Sequence, residues 1–235
     1  MSDRLGVPVA NFTPPPVPKG EGLQGRYAEL AMLSADRHAG DLHQAFSASE
    51  AIWDYMPYGP FHSAAAYYRW VREAEAHDDP KFYAIRDLDS GHWCGVASYL
   101  RITPEAGTIE VGHINFAPEL QGRRAATEAM YQMMKWAFEA GYRRYEWKCN
   151  ALNMASRRAA QRLGLSYEGV FRQAAVVKGR NRDTAWFAAI DQEWPALKEA
   201  FEAWLSPRNF DAEGRQVERL SDLTRLVRVN ADPAL

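Results

Sequence analysis

The organisation of the whole chain is easiest to read from one stretch, His113-Ile114-Asn115-Phe116-Ala117-Pro118-Glu119-Leu120-Gln121-Gly122-Arg123-Arg124-Ala125-Ala126-Thr127-Glu128-Ala129. It is mostly apolar up to the proline, continues as a short polar loop with one glycine, and then becomes an alanine-rich helical pattern. A strand that passes through a tight loop into a helix points unpaired backbone N–H groups and the positive end of the helix dipole at one place. Such a place binds phosphate. By itself the stretch is equally compatible with an anion site and with a turn that uses a glycine and two arginines.

The residues before this stretch have the pattern of strands joined by tight turns. Strands are predicted over 82–86, 93–102 and 108–116, with strand-breaking links at 87–91 and 104–107. Short links that contain Gly, Asp and Pro favour hairpins between neighbouring strands. The sequence therefore predicts an antiparallel meander that leads directly into the loop.

The residues after the loop alternate between helices and strands. Small and apolar residues recur three and four positions apart and end at a glycine in the usual place beyond a helix C-terminus: Ala126, Met130, Met133, Ala137, Ala140 and Gly141. A strand is predicted over 145–150, followed by a helix that is capped by Asn153 and runs through Leu163 to Gly164. A hairpin of strands 167–178 and 184–190 is predicted across the turn 179–183. The last predicted elements are a helix over 194–205 and a short helix bearing Leu220, Leu223 and Val227.

The N-terminal residues divide into an arm and the first elements of the domain. Residues 1–25 are expected to form an arm, because the prolines at 14–16 and 18 exclude a helix and favour an extended conformation. A strand is predicted over 27–33, followed by a helix capped by Asp36 and a second helix that starts at Ser63. The rest of the sequence shows no internal repeat and no convincing domain boundary. We therefore expect one domain over 26–191, with a C-terminal helix and tail over 192–235 packing on it.

Composition restricts the functional classes. The chain has 235 residues, 47% of them hydrophobic and 25% charged, with a net charge of −2, so no basic excess points to nucleic acid. Cys94 and Cys149 are expected to be buried free thiols, and their spacing suits neither a metal nor a disulfide framework. No apolar run has membrane-spanning length and no signal pattern is present, which predicts a cytoplasmic protein without membrane partners. A monomer and a homodimer are both compatible with the sequence.

An aromatic loop broken by prolines occupies 53–61. Its large side chains are Trp53, Tyr55, Met56 and Tyr58. Loops often carry specificity, and rigid aromatic rings make good contact surfaces, so the loop is a candidate wall of an acceptor-substrate cleft. A local hydrophobic plug is the alternative.

The predicted order of elements, β-α-α-β-β-β-α-β-α-β-β with the phosphate-type loop after the fourth strand, resembles the GNAT acetyltransferase superfamily. The stretch 121–126 lies on that family's Arg/Gln-x-x-Gly-x-Gly/Ala acetyl-CoA loop, while 126–129 and Asn153-x-x-Ser156, ending in Leu163-Gly164, look like the Rim-type branch, which acetylates N-termini of ribosomal proteins. The resemblance covers about residues 26–191. It implies an α+β fold with a mostly antiparallel, twisted sheet of about seven strands, splayed between the fourth and fifth and flanked by helices.

The resemblance also implies a reaction and a cofactor site. Members transfer an acetyl group from acetyl-CoA to a primary amine, such as a peptide N-terminus or a small-molecule amine, by direct attack within a ternary complex. The pantetheine arm would pair with the fourth strand, at Ile114, Asn115 and Phe116, and would touch Asn153. The loop residues implied to hold the CoA phosphates are Gln121, Gly122, Arg123, Arg124, Ala125, Ala126 and Thr127. No metal is implied.

One loop residue departs from the family pattern. Arg124 stands where the family has its central glycine. A residue with a side chain is strained at positive φ. We therefore expect a right-handed conformation at Arg124, with its N–H group still offered to the ligand and its side chain free to reach a phosphate.

Two residues are candidates for the base that takes the amine proton. Glu110 comes first because many GNAT enzymes place a glutamate in this strand, and because burial would raise its pKa. The alternative is a structural glutamate paired with an arginine or a neighbouring strand. His113 comes second, since its ordinary pKa is near neutrality, although a lone strand histidine is usually structural. Glu146 and Lys148 share a strand face and are expected to form an ion pair.

The acid for the departing thiolate is less evident. Many GNAT enzymes use a tyrosine four residues after the position of Ser156, where this chain has Ala160. Ser156 resembles the serine that serves this purpose in the Rim-type branch, and an ordinary first-turn helix residue is the alternative. The missing tyrosine and the unusual Arg124 leave a second function open, that of a non-catalytic acyl-CoA-binding or interaction module with the same fold.

Overall fold

The computed structural model describes residues 6–235, so the first five residues of the predicted arm lie outside the described residues. The strands are β1 Leu23–Gln24, β2 Ala28–Met32, β3 Lys81–Asp87, β4 Trp93–Thr103, β5 Thr108–Phe116, β6 Arg144–Asn150, β7 Ser166–Val177 and β8 Arg180–Ile190. The helices are α1 Ala35–Phe46, α2 Ala64–Ala74, α3 Arg124–Glu139, α4 Met154–Arg162, α5 Trp194–Leu205 and α6 Leu220–Thr224. Short 3-10 turns lie at Glu50–Trp53, Pro104–Ala106 and Pro207–Asn209.

All eight strands form one sheet in the order β1-β2-β3-β4-β5-β6-β8-β7. Neighbouring strands are antiparallel except β5 and β6, which are parallel. Helix α3 connects these two strands, and a crossover of this kind returns the chain in the same direction. The predicted α+β fold and the meander of β3, β4 and β5 are confirmed.

Three features differ from the sequence predictions by more than a residue or two at the end of an element. The sheet gains β1, whose two residues are too short to show a pattern. Strand β8 starts at Arg180 instead of after a turn over 179–183, because Lys178 and Gly179 alone make the turn, at φ 49° and 72°. Two consecutive residues at positive φ match the twist of a tight hairpin. Asp36 lies inside α1, and Ser34 holds the N-cap position, its N–H group bonded to His38 Nδ1 at 3.0 Å.

Helix α3 lies in the centre of the core. Its buried face alternates small and long apolar side chains, and Ala125, Ala129 and Ala137 are fully buried. Alanine side chains let the helix backbone lie close to the sheet. Glu128 on the same helix is also buried and accepts backbone N–H groups at the start of β2, from Tyr27 at 2.5 Å and Ala28 at 2.7 Å. This carboxylate ties the helix to the first strands.

The arm lies against the turn that follows α3. The hydroxyl of Tyr142 donates to the carbonyl of Pro16 at 3.1 Å.

Among residues 6–235, no helix is both long and apolar enough to cross a membrane. Within the same part of the chain, His, Cys, Asp and Glu side chains form no group of three that could hold a metal ion.

His38 makes the stability of the fold dependent on pH. Burial, assisted by Arg37, lowers its pKa from 6.5 to about 4. Between those values the unfolded chain binds a proton that the native chain does not, so stability is lost as pH falls from 6.5 to 4. His38 is expected to contribute about 1.4 kcal/mol of loss per pH unit in this window, measured by urea unfolding at pH 7 and pH 5 as the difference in slope between the native protein and a His38 variant. His38→Gln should flatten the slope and the exposed His77→Gln should not; equal slopes in all three proteins would contradict this prediction.

Candidate active site

Strands β5 and β6 separate along half of their length. They pair from Thr108 with Arg144 to Val111 with Trp147, and no further. Beyond these pairs β5 continues through Ile114, Asn115 and Phe116 beside an open gap. The edge of β5 that faces the gap therefore offers unpaired backbone groups to a ligand.

A β-bulge accompanies this separation. Ser98 pairs with Gly112 and Val96 with Asn115, so two residues of β5 oppose one residue of β4. His113 lies in the bulge at φ 50°. An extra residue of this kind bends a strand and increases its local twist. The bulge therefore turns the end of β5 away from β6 and places His113 at the gap.

The end of β5 leads directly to the N-terminus of α3. Gly122 takes φ 73°, and Arg123 holds the N-cap position without a side-chain cap. The first helical bond runs from the Thr127 N–H group to the Arg123 carbonyl at 3.4 Å. The N–H groups of the three residues between them, 124–126, therefore stand at the open helix end, where an anion binds favourably. Gln121 Nε2 fixes the loop by donating to the Phe116 carbonyl at 2.9 Å.

Arg124 has the expected backbone but not the expected side chain. It is the first residue of α3 and is right-handed, as predicted. Its Nη2 and Nε atoms bond Asp89 Oδ2 at 2.8 and 3.1 Å, and its guanidinium lies 4.2 Å from the centre of the Tyr27 ring. The prediction of a free side chain is wrong, because a turn 35 residues away captures it. The exposed arginine of the loop is Arg123. The Thr127 hydroxyl already accepts a hydrogen bond from Arg162 Nη1 at 3.0 Å.

The N-terminus of α4 borders the same gap. Asn153 Oδ1 accepts the Ser156 N–H group at 3.0 Å, which is the predicted cap. Ser156 Oγ accepts a hydrogen bond from Trp147 Nε1 at 3.0 Å. Because Trp147 is the last residue of β6 that pairs with β5, the Ser156 hydroxyl lies where the strands part. Cys149 follows on β6, and burial raises the pKa of its thiol. Both cysteines are free and buried, as predicted.

The C-terminal tail braces this end of α4. Arg157 forms a bidentate pair with Asp232, at 2.6 Å from Nε and 2.5 Å from Nη2. Its third nitrogen, Nη1, donates to the Ala151 carbonyl at 2.8 Å. Both charged side chains are buried. The tail therefore holds the loop that presents Asn153 and Ser156.

Glu110 lies on the opposite face of the sheet, buried in a chain of ion pairs. Arg101 Nη1 lies 2.7 Å from its Oε1 and Lys148 Nζ lies 2.8 Å from its Oε2. Lys148 also contacts Glu146 at 2.7 Å, which is the predicted ion pair, and it sits 3.9 Å from the centre of the Trp186 ring. Glu110 is thus paired with an arginine, as the alternative of a structural glutamate predicts. It also lies one residue before the end of the β5–β6 pairing, which keeps it next to the gap.

His113 contacts the aromatic loop. Its Nδ1 atom lies 3.1 Å from the Tyr58 hydroxyl, and the two rings stack at 5.5 Å with an angle of 7°. Burial, assisted by the charges of Arg101 and Arg182, lowers the pKa of His113 from 6.5 to about 4. The imidazole is therefore neutral at pH 7.

The aromatic loop divides between its two interpretations. Trp53 and Met56 are buried, and the Trp53 ring packs at 5.3 Å against Phe61, which is plug-like packing. Tyr58 faces His113 at the gap. Tyr55 is 40% exposed and donates to the Leu152 carbonyl, just before α4, at 3.2 Å. The loop therefore closes one side of the site with two tyrosines and buries its other two large side chains.

The comparison with known proteins agrees with this geometry. The profile of the family described as "Acetyltransferase (GNAT) domain" matches residues 29–166, more than half of the chain. The crystal structure of a GCN5-related N-acetyltransferase from Brucella melitensis is 44% identical, with a TM-score of 0.90 over 92% of this chain and 100% of that chain. A Chromobacterium violaceum structure described as a probable GNAT-family acetyltransferase is 39% identical, with a TM-score of 0.76 over 81% of this chain and 96% of that chain.

One curated relative matches a shorter segment. "Putative ribosomal N-acetyltransferase YdaF" of Bacillus subtilis (strain 168) is 28% identical over 112 residues, which are 47% of this chain and 61% of that protein. The match thus spans about three fifths of that relative's length. The resemblance to the GNAT superfamily is confirmed, the name of this relative is consistent with the Rim-type branch, and acetyl transfer is the activity that the relatives share. The chain belongs to the GNAT acetyltransferase family.

Proposed function

We propose that the protein is an acetyl-CoA-dependent N-acetyltransferase that moves an acetyl group to a primary amine by direct attack in a ternary complex. The observation that carries the proposal is the gap between β5 and β6, whose β5 edge runs directly into the open N-terminus of α3. This arrangement provides an unpaired strand edge for an amide-bearing arm and an anion site at the end of the same strand.

The cofactor site draws on both features. We assign the CoA phosphates to the N–H groups of residues 124–126, with Arg123 as the mobile cation of the loop. The pantetheine arm lies along Ile114–Phe116. Asn115 supports this assignment because it is buried and its Nδ2 atom has no hydrogen-bond partner among residues 6–235. A buried donor without a partner costs about 1–3 kcal/mol, which an amide-rich ligand can recover.

The amine approaches from the face that carries Glu110. We assign this carboxylate as the group that receives the amine proton, directly or through water, with His113 as the second candidate. Glu110 is engaged by two cations, so the acceptor that suits it is an amine that loses its proton readily near neutral pH. An α-amino group, with a pKa near 7.7–8.0, meets this requirement better than a lysine near 10.4.

Ser156 is assigned to the departing thiolate. Its hydroxyl already accepts the Trp147 N–H group, so its own proton is directed elsewhere and can be donated at the gap. No tyrosine is needed for this role, since a thiolate is a good leaving group that benefits from a single hydrogen bond.

The acceptor is proposed to be a peptide N-terminus, with a small-molecule amine as the alternative. The name of the curated relative supports a protein substrate, and the site's tyrosines suit either acceptor. We further propose that residues 26–191 carry the reaction while the tail of 192–235 braces it, and that the protein works in the cytoplasm, where buried free thiols persist.

A thiol-release assay with acetyl-CoA and a panel of peptides and amines tests the proposed function. The expected result is turnover with at least one amine and N-acetylation confirmed by mass. Tight binding of CoA without turnover in any pool would favour the non-catalytic module instead, and absence of CoA binding would contradict both functions.

A further inference from the structure

Arg182 lies on the acceptor face, at the open end of β6. Lys148 pairs with Trp186 and Asn150 pairs with Thr184 across β6 and β8. Arg182 precedes Thr184 by two residues in the same strand, so alternation along β8 places it on the face of Lys148 and Glu110. Because β6 ends at Asn150, no β6 residue faces Arg182 across the sheet.

The guanidinium of Arg182 is half-buried and unpaired. Its Nε atom is buried and has no hydrogen-bond partner among residues 6–235, and in this part of the chain no carboxylate forms an ion pair with it. Burial lowers the pKa of Arg182. A partly desolvated cation without a counter-charge is costly, so its retention next to a reaction site needs a reason.

The neighbouring charges do not supply the missing partner. Glu110 already contacts Arg101 and Lys148, and Glu146 already contacts Arg144 and Lys148, at distances of 2.6 to 2.8 Å. Arg182 is therefore the surplus cation of this face. Its charge reaches the gap, since it contributes to the lowered pKa of His113.

Space for a ligand lies beside it. Strand β7 bulges between the pairs Phe171–Thr184 and Ala175–Arg182, and an open groove of about 640 Å³ runs along residues 171–174. Phe171 is 58% exposed and packs on Trp186 with ring centres 4.4 Å apart. The groove is lined by Phe171, Arg172, Gln173 and Ala174, and it ends next to Ala175, the strand partner of Arg182.

We propose that Arg182 binds an anionic group of the acceptor, so that the preferred substrate is an amine with a carboxylate or a phosphate close to it. This inference rests on the proposed function. A planar guanidinium binds either anion with two parallel hydrogen bonds, which fixes direction as well as distance. The anion held at Arg182 directs the amine on the same molecule toward the gap between β5 and β6.

The test compares peptides of one sequence whose second residue is Asp, Asn, phosphoserine, Ser or Lys, together with alanine and alaninamide. Wild-type kcat/KM is expected to be roughly 10- to 100-fold higher for an anionic member than for its neutral counterpart, the usual strength of a charge-assisted hydrogen bond. The pair with the larger ratio identifies carboxylate or phosphate. Arg182→Gln should abolish the preference, mainly through KM of the acceptor, while leaving the affinity for acetyl-CoA unchanged.

Two further variants complete the test. Arg180→Gln removes the same charge from an exposed position two residues away and should keep the preference, and Arg182→Lys should keep part of it. Equal turnover of charged and neutral acceptors would overturn this proposal and leave the proposed function standing. An equal loss for all acceptors in Arg182→Gln would overturn it as well, by showing that Arg182 serves acetyl-CoA. Absence of turnover with every amine would remove the proposed function, and this proposal with it.

Discussion

Replacement of Asp232 by alanine is expected to lower the free energy of unfolding by about 3–5 kcal/mol, the usual cost of removing one partner of a buried ion pair. Arg157 would keep only its bond to the Ala151 carbonyl and would remain buried with an uncompensated charge. Because Ala151 and Arg157 flank Asn153 and Ser156, we also expect weaker binding of acetyl-CoA. Urea unfolding measures the first effect and calorimetry measures the second.

Asp222→Ala is the matched control for this experiment. Asp222 lies in the same tail, is exposed, and its side chain makes no hydrogen bond to the rest of residues 6–235. Its replacement should change stability by less than about 0.5 kcal/mol. Asp232→Asn keeps the shape of the side chain but replaces one carboxylate oxygen by an NH2 group and removes the charge. Its loss of stability should fall between those of the other two variants. If Asp232→Ala were as stable as the control, the tail would not brace α4.

Glu110→Gln should lower kcat by about 100-fold, the low end of what a positioned base contributes, while the dissociation constant of acetyl-CoA changes by less than about twofold. The substitution preserves shape but removes the group that receives the amine proton. It lies on the face opposite Ser156, so the cofactor contacts assigned to α3 and α4 are untouched. Turnover is followed by thiol release and binding by calorimetry.

Glu146→Gln separates catalysis from the loss of an ion pair. Glu146 shares Lys148 with Glu110 but lies one strand away and is also held by Arg144 at 2.6 Å. Burial would raise its pKa, yet the bonds from Arg144 and Lys148 lower it overall. This variant should retain most of the activity. Unchanged turnover in Glu110→Gln would remove Glu110 from the mechanism, and equal losses in both variants would assign it a structural role.

Local rules explain what could be predicted from the sequence. The meander, the glycine loop and the Asn153 cap each depend on residues within a few positions of one another, and each was found as predicted. The right-handed backbone of Arg124 followed from the same reasoning, since positive φ disfavours any residue with a side chain.

Long-range contacts explain what could not. Asp89 captures Arg124 from 35 positions away, and Asp232 reaches Arg157 from 75 positions away. No local pattern marks either pair. Arg182 was hidden differently, because the composition of 179–183 favours a turn whereas Lys178 and Gly179 suffice to make it. Only the observed register places Arg182 on a strand and next to the gap.

A crystal structure of the protein with acetyl-CoA would show whether the gap between β5 and β6 is the cofactor site. We expect the pantetheine arm between β5 and β6 along Ile114–Phe116, the pyrophosphate at the N–H groups of residues 124–126, and the sulfur next to Ser156. Acetyl-CoA bound elsewhere on the protein, with the gap between β5 and β6 closed or empty, would contradict this expectation.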